Sequence, residues 1–196
     1  MAVLKVEGVS KSFDSEKIIE NISLELHEGE IVSLLGVSGG GKTTLFNIIA
    51  GLSQPDSGSV WLDGEEVTGQ PGHVSYMLQK DLLLTYRTIL DNVVLPLIVK
   101  GIKKKEAREI AAPYFAEFGL EGTEKKYPAQ LSGGMKQRAA LLRTYLFSNK
   151  VALLDEPFSA LDFQSRLMLT DDVYKIIKEE NISAIMITHN IEEAIY

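Results

Sequence analysis

The sequence of 196 residues contains no cysteine. That absence excludes disulfide bonds, thiolate metal sites and thiol catalysis, and it is typical of a protein from a reducing compartment. Positive charge is also scarce, because 20 lysines and arginines stand against 27 acidic residues, which gives a formal net charge of −7. This balance argues against a broad surface that neutralises the phosphates of nucleic acids or anionic membranes.

Long apolar runs and targeting signals are missing as well. The uncharged stretch from Thr43 to Pro55 includes Asn, Ser, Gln and Pro and falls short of the ~18 apolar residues that indicate a membrane span. The start, from Met1 to Glu7, alternates apolar and polar residues and lacks the basic and apolar regions of a secretory signal. We therefore predict a cytosolic chain that does not cross a bilayer and forms one domain, with or without an insertion.

Alternating apolar and polar residues dominate the first third of the chain. Leu4 to Val9 and Ile22 to Leu26 show this pattern, and Ser59 to Leu62 resembles them ahead of a turn at Asp63 and Gly64. Such alternation predicts half-buried strands of an antiparallel sheet.

Three other apolar runs are short and unbroken, namely Ile31 to Leu35, Val151 to Leu154 and Ala184 to Ile187. They predict strands of a parallel sheet covered on both faces, and each leads into a polar loop and a helical pattern. Between Gln79 and Tyr145 the strand patterns give way to helical ones, which predicts a helical insertion. Its predicted helices run from Thr88 to Val99, from Lys103 to Phe118 and from about Gly133 to Phe147. Several of its apolar residues exceed what a small helical lobe needs for a core, and we predict them to form an exposed protein-binding cluster: Leu82, Leu83, Leu84, Tyr86, Val94 and Leu97. The plainer alternative is that half of them belong to the core of the lobe.

The segment from Gly36 to Thr43 fits the pattern GxxxxGK[ST] and lies between a predicted buried strand and a predicted helix. A glycine-rich loop can turn its backbone N–H groups around a phosphate at a helix N-terminus. Lys42 would reach the β- and γ-phosphate oxygens, and the Thr43 hydroxyl would ligate magnesium. The nucleotide-binding residues predicted here are Gly36, Ser38, Gly39, Gly40, Gly41, Lys42, Thr43 and Thr44.

Two carboxylates, Asp155 and Glu156, end the apolar run that starts at Val151. Asp155 fits the acid that holds magnesium through water beside a phosphate loop. Because Glu156 is the next residue, its side chain is expected to point away from that of Asp155, toward the space beyond the γ-phosphate. A carboxylate there could orient and deprotonate an attacking water. The plainer alternative is that the pair caps a helix at the end of a strand.

A second Ser-Gly-Gly sequence, Ser132, Gly133 and Gly134, opens a predicted helix that carries basic residues in its first turns. Ser132 can be a simple N-cap with glycines that permit close packing. Alternatively this is another anion-binding helix N-terminus, which would need two phosphate groups or two chains. The residues themselves leave both interpretations open.

Three single residues have a functional and a plain interpretation. His189 follows a strand at the ligand side of the sheet, although a lone histidine is usually a solvated residue. Gln79 ends an apolar segment with an amide that can touch magnesium or water, or cap the helical insertion. Phe13 is either a core or edge aromatic or a flat surface on which adenine stacks.

Taken in order, these motifs resemble the nucleotide-binding subunit of an ABC transporter over nearly the whole chain. Phe13 resembles the aromatic A-loop residue, Gly36 to Thr43 the Walker A loop and Gln79 the Q-loop. Leu131 to Met135 resemble the signature, and Val151 to Glu156 the Walker B strand with its catalytic Glu. Ser159 to Asp162 are similar to the D-loop, and His189 to the switch histidine.

The resemblance implies an α/β fold, with a P-loop ATPase core of mainly parallel sheet, an N-terminal antiparallel β-subdomain and an inserted helical subdomain. The implied boundaries are about 1–79 and 146–196 for the core and about 80–145 for the helical part. Family members continue past the switch histidine, whereas this sequence stops at Tyr196, so we expect either a truncated sequence or a naturally short protein.

The resemblance also implies that two copies pair head to tail, with ATP and Mg²⁺ between the Walker A loop of one and the Ser132 helix of the other. Glu156, His189 and Gln79 would be catalytic, and Thr43, Gln79 and Asp155 would hold the metal. Transmembrane permease subunits would be the partners, with a solute-binding protein acting indirectly and no direct contact to nucleic acid. The chain would then lie at the cytoplasmic face of the cell membrane.

The segment from Gln79 to Val93 looks like importers for nitrate, sulfonate, taurine and related small solutes. We therefore expect an ATPase that drives import of such a solute. The alternatives are a non-transport ABC-type ATPase acting on nucleic acid or ribosomes, an exporter subunit, and a regulator that has lost hydrolysis. Glu156 and His189 argue against the last of these.

Overall fold

A computed structural model describes residues 2–147, 150–159, 163–179 and 181–190. The chain divides into two compact units, the first comprising 1–76, 149–156 and 174–196 and the second 77–148 and 157–173. In chain order the elements are β1 (Ala2–Phe13), β2 (Glu16–His27), β3 (Ile31–Leu35), α1 (Lys42–Ile49), β4 (Ser57–Leu62), β5 (Glu65–Glu66), β6 (Ser75–Met77), α2 (Ile89–Val93), α3 (Leu95–Val99), α4 (Lys104–Ala111), α5 (Tyr114–Glu117), α6 (Gly133–Phe147), β7 (Val151–Asp155), α7 (Phe163–Glu179) and β8 (Ser183–Thr188).

The predicted antiparallel sheet is present, with the strand order β2-β1-β4-β5. Leu4 of β1 pairs with Leu26 of β2 on one side and with Leu62 of β4 on the other. Leu4 and Val6 are buried and the polar residues Lys5 and Glu7 are half-buried, as a period-2 pattern requires. A register shift between Val6 and Val9 interrupts the alternation, and Val9 is again buried. The long β1–β2 hairpin thereby delivers its tip, at Phe13, to one end of the sheet.

The second sheet has the order β3-β8-β7-β6, and β8 runs parallel to both β3 and β7. Every residue of β7 and β8 is buried, which confirms the prediction of covered strands. The same expectation for β3 is wrong, because Ile31 to Leu34 are only half-buried and Leu35 is exposed. In the described sheet order β3 comes first and has a strand neighbour on one side, so its side chains are less covered than those of β7 and β8. An unbroken apolar run therefore does not by itself predict full burial.

The second unit consists mainly of short helices, and the predicted helix from Gly133 to Phe147 is confirmed as α6. The predicted helix over 88–99 is divided into α2 and α3, with Pro96 in the first turn of the latter. Pro113 likewise separates α4 from α5. Proline lacks an N–H group and clashes with the preceding turn, so it is tolerated where a helix begins. Thr88 starts α2, and its hydroxyl accepts a hydrogen bond from the Asp91 N–H at 3.2 Å.

The predicted exposed apolar cluster is only partly correct. Leu82 and Tyr86 are exposed, at 53% and 73% of their surface. Leu83, Val94 and Leu97 are buried instead, at 7%, 0% and 7% exposure, and they form part of the core of the helical unit. A small lobe needs these side chains for its own packing, because little else can fill the space between short helices.

None of the helices in the described ranges combines the length and apolar composition that a bilayer-spanning segment needs.

Candidate functional site

The loop between β3 and α1 has the backbone that a phosphate loop needs. Gly39 and Gly41 have positive φ angles of 81° and 79°, a region that glycine adopts without steric cost. At Gly41 a Cβ atom would lie only 2.5 Å from the Ile19 side chain and 2.9 Å from the Ile18 carbonyl oxygen. Glycine is therefore required at this position by two independent constraints, and the loop stays close to β2.

Lys42 extends across this loop from the first turn of α1. Its ammonium group donates hydrogen bonds to the carbonyl oxygens of Gly36 and Val37, both at 2.8 Å. The charge is thus held at the mouth of the loop, which is itself exposed at Ser38, Gly39 and Gly40. An ammonium held by backbone carbonyls can exchange them for phosphate oxygens without losing its hydrogen bonds.

Thr43 and Asp155 are brought together from distant parts of the sequence. The Thr43 hydroxyl donates a hydrogen bond to Asp155 Oδ2 at 3.1 Å. Asp155 is only 3% exposed, and this burial raises the pKa of its carboxyl above the ordinary value. The hydrogen bond from Thr43 opposes that shift, whereas the nearby charge of Glu156 adds to it.

Glu156 turns to a different partner from Asp155. Its φ angle is 49°, a left-handed conformation that is uncommon for a residue with a side chain. The Glu156 N–H donates to the Ile187 carbonyl at 3.0 Å, which ties this turn to β8. Its carboxylate contacts His189 Nε2, so the carboxylates of Asp155 and Glu156 have different partners. Strain of this kind clusters at functional sites.

Phe13 stands at the tip of the β1–β2 hairpin and is half exposed. The turn consists of Asp14 and Ser15, both with positive φ, and it pairs Phe13 with Glu16. This two-residue arrangement is typical of the tight turns that match strand twist. The Lys11 ammonium lies 5.4 Å from the ring centre, within the range of a cation–π contact. One face of the ring therefore has a partner within its own strand.

The other predicted site residues belong to the second unit. Ser132 is exposed, and its hydroxyl accepts a hydrogen bond from the Met135 N–H at 3.3 Å, while its carbonyl accepts from Lys136 at 3.0 Å. Ser132 therefore caps α6, which begins with Gly133 and Gly134. Gln79 is exposed in the bend that follows β6. Of the predicted D-loop, residues 160–162 lie outside the described part of the chain.

Sequence reasoning missed a set of side chains that shape the loop at 81–87. Arg143 of α6 donates to the carbonyl oxygens of Asp81 at 2.6 Å and Leu82 at 3.0 Å. The buried Asn92 accepts from the Leu84 N–H at 2.6 Å and donates to the Leu84 carbonyl at 3.1 Å. The sequence contains one signal for this arrangement, because Asn92 is a polar residue inside an apolar helical pattern. Nothing in the sequence pairs Arg143 with the loop.

The first unit thus assembles a loop for phosphates, a buried carboxylate with a hydroxyl, and a second carboxylate with a histidine. The Thr43–Asp155 pair offers two hard oxygen ligands, which suits Mg²⁺, because this ion usually takes one or two protein oxygens and keeps the rest for phosphates and water. Among the described residues no cluster of three or more metal-binding side chains occurs. The donor set fits magnesium bound together with a nucleotide.

Comparisons with known proteins identify the relatives of this chain. A family model described as ABC transporter matches residues 19–159. The chain is 45% identical to ThiZ, the formylaminopyrimidine import ATP-binding protein of Halalkalibacterium halodurans, over 98% of this chain and 76% of that protein. It is 38% identical to TauB, the taurine import ATP-binding protein of Escherichia coli O157:H7, over 99% of this chain and 76% of that protein.

A solved structure resembles the fold closely. It is the dimer of the ATP-binding cassette MJ0796 in a post-hydrolysis state, bound to ADP and Pi. The TM-score is 0.87 with 31% sequence identity, and the match covers 97% of this chain and 90% of that one. The predicted fold class is confirmed by this likeness.

Proposed function

Because the chain belongs to the ABC transporter family as an ATP-hydrolysing subunit, we propose that it drives an importer by binding and hydrolysing ATP at a site shared between two copies. The observation that carries this proposal is the convergence of Thr43 with Asp155 and of Glu156 with His189 around the phosphate loop. The names of the two import proteins reported above support transport in the inward direction.

Lys42 holds the β- and γ-phosphate oxygens once it has left the carbonyls of Gly36 and Val37. The backbone N–H groups of the loop from Gly36 to Thr44 bind the same phosphates at the start of α1. Phe13 stacks on the adenine through its exposed face.

Thr43 and Asp155 would hold Mg²⁺, and Gln79 would be a further ligand that detects the state of the γ-phosphate. The bound metal would supply positive charge that offsets the negative charge of the phosphates. Because Asp155 is buried and already hydrogen-bonded to Thr43, it is oriented before the metal arrives.

Glu156 is the group that orients and deprotonates the attacking water. Its contact with His189 fixes the direction of the carboxylate, and the turn bound to Ile187 sets it apart from Asp155. His189 in turn stabilises the charge that develops on the phosphate.

The second copy supplies the start of α6. Ser132, Gly133 and Gly134 present the positive end of that helix, which suits the γ-phosphate of a nucleotide held by the partner copy's phosphate loop. The dimeric state of the solved cassette supports the pairing of two copies. The working unit is then one ATPase domain with a core of about 1–79 and 146–196 and a helical part of about 80–145.

A transmembrane permease subunit is the partner of the loop at 81–87. Leu82 and Tyr86 are exposed there, while Arg143 and Asn92 fix the backbone behind them. A rigid loop with two exposed apolar side chains suits a protein contact. This contact would hold the chain at the cytoplasmic face of the membrane, and a solute-binding protein would act through the permease.

The imported solute is a small compound such as a sulfonate, nitrate or a related molecule. Support comes from the sequence between Gln79 and Val93 and from the taurine and formylaminopyrimidine named for the two relatives.

Complementation between two inactive variants tests the shared site. Lys42→Ala damages the phosphate loop and Ser132→Arg damages the start of α6. A mixed head-to-tail dimer still contains one site with both parts intact, so mixing the two purified variants should restore ATP hydrolysis above the level of either alone.

The matched control mixes Lys42→Ala with Glu156→Gln, since both residues lie in the same unit of the same chain. Every mixed site then carries one defect, and no recovery is expected. Equal recovery in both mixtures, or full activity of Ser132→Arg alone, would contradict a site shared between copies.

A further inference from the structure

The hydroxyl of Tyr76 has no role in the site described so far. Tyr76 lies in β6, and its ring packs edge-on against Phe46 with the ring centres 5.8 Å apart and the planes at 80°. Its oxygen is buried, and it has no hydrogen-bond partner within the described part of the chain. A phenylalanine would make the same ring contact without burying an unpaired polar atom, so packing alone does not explain a tyrosine here.

The surroundings of this hydroxyl connect it to the nucleotide site. In the sheet order β6 lies beside β7, the strand that ends at Asp155. Phe46, on which the Tyr76 ring packs, lies three residues after Thr43 in α1, and Thr43 is hydrogen-bonded to Asp155. Burial and, after it, the negative charge of Asp155 raise the pKa of Tyr76, so the phenol remains neutral. The ring of Tyr76 thus packs on the helix that carries one of the two residues that fit magnesium.

Magnesium usually keeps several waters in its shell when it binds to proteins. Such waters face the ion with their oxygen and therefore donate their hydrogens outward, so the site must supply acceptors. Asp155 can satisfy part of this need, and an additional buried oxygen close to it can satisfy more.

We propose that Tyr76 is a positioning residue for magnesium, whose phenol oxygen accepts a hydrogen bond from a water of the hydration shell beside Asp155. This inference rests on the magnesium site proposed above. It explains why a hydroxyl is retained on a ring that otherwise packs in the core. A residue that supports a metal in this way typically changes metal affinity when it is replaced.

The variant Tyr76→Phe removes the oxygen and keeps the ring. The measurement is the binding of a fluorescent, non-hydrolysable ATP analogue at increasing Mg²⁺ concentration. We expect Tyr76→Phe to need roughly tenfold more Mg²⁺ for half-saturation than the wild type, with unchanged analogue affinity in excess chelator. Without nucleotide, its melting temperature should be equal or higher, because an unpaired buried hydroxyl has been removed.

Tyr114→Phe is the matched control, since Tyr114 packs on Tyr145 in the other unit at a ring distance of 4.9 Å. It should leave the Mg²⁺ requirement unchanged. If the wild type requires Mg²⁺ and Tyr76→Phe requires the same concentration, the role of Tyr76 is disproved while the magnesium site stands.

Two further results would also overturn the inference. A wild type whose analogue binding does not respond to Mg²⁺ would remove the magnesium site itself and the role of Tyr76 with it. A lower melting temperature of nucleotide-free Tyr76→Phe, together with an unchanged Mg²⁺ requirement, would assign the hydroxyl to a buried water in the resting protein instead.

Discussion

Arg143 donates a hydrogen bond to the carbonyl oxygen of Leu82 at 3.0 Å, although the two residues lie 61 positions apart in the sequence. Leu82 has a φ angle of 43°, a left-handed conformation that leucine adopts at a cost. The second bond of the same guanidinium, to Asp81, holds the neighbouring carbonyl. The side chain of Arg143 therefore joins α6, the helix capped by Ser132, to the loop that carries Tyr86.

Replacing Arg143 with Ala should loosen this loop. Both carbonyls lose their donor, and we expect a loss of about 1–3 kcal/mol in the free energy of unfolding. Trypsin should cleave faster after Arg87 under native conditions. The control is Arg108→Ala, which removes an ion pair with Asp91 on a half-exposed side chain and should cost less than about 1 kcal/mol. Equal stability and cleavage in the two variants would contradict a special role for Arg143.

The permease contact predicts different outcomes for adjacent leucines. Leu82→Asp and Tyr86→Asp should abolish transport while the isolated chain keeps its basal ATPase activity, because both side chains are exposed. Leu83→Asp should instead unfold the helical unit, since it buries a charge. Transport and melting curves distinguish these effects. Tyr127→Asp, at another exposed aromatic, is the control and should transport normally. Normal transport by Tyr86→Asp would place the coupling surface elsewhere.

Lys42→Ala should weaken ATP binding about 10- to 100-fold, because the charge-assisted hydrogen bonds to the β- and γ-phosphates are lost. Titration calorimetry with a non-hydrolysable analogue measures this directly. Lys150→Ala, which breaks an exposed ion pair with Asp63 in the same unit, should bind ATP as the wild type does. An unchanged affinity in Lys42→Ala would mean that the loop binds phosphate through its backbone alone.

Asp155→Asn should separate stability from function. The buried carboxylate has a raised pKa, so its charge disfavours the nucleotide-free fold at neutral pH, and the neutral amide removes that cost. We expect the melting temperature to rise by about 2–4 °C, the shift that ~1 kcal/mol produces in a domain of this size. Stabilisation by Mg²⁺ and ATP together should largely disappear. A lower melting temperature without nucleotide would contradict this account of Asp155.

The fold and the motifs of the candidate site were predictable because short-range patterns encode them. The alternation in β1, the glycines of the phosphate loop and the full extent of α6 depend on neighbours in sequence. The half-exposed β3 was not predictable, since an apolar run does not report its place in the sheet. Likewise, Leu83 and Leu82 look alike in sequence, and only the packing of the helical unit buries one and exposes its neighbour.

Contacts between distant residues limited the prediction of the site in the same way. The pattern identified Asp155 and Thr43 separately. Their hydrogen bond depends on the sheet order, in which β8 runs parallel to both β3 and β7 and so brings the ends of these two strands to one edge of the sheet. The unpaired hydroxyl of Tyr76 and the hydrogen bonds from Arg143 to Asp81 and Leu82 depend on distances of a few ångströms. No local sequence pattern predicts such distances.

The central claim is that Glu156 activates water in a site closed by a second copy, and one variant tests it most directly. Glu156→Gln keeps the shape of the side chain and removes its basicity, so hydrolysis should fall by about 10²- to 10⁴-fold. ATP binding should persist, and light scattering should show a stable dimer when ATP and Mg²⁺ are added. Full ATPase activity of Glu156→Gln, or a monomer that hydrolyses ATP normally at every protein concentration, would contradict the account.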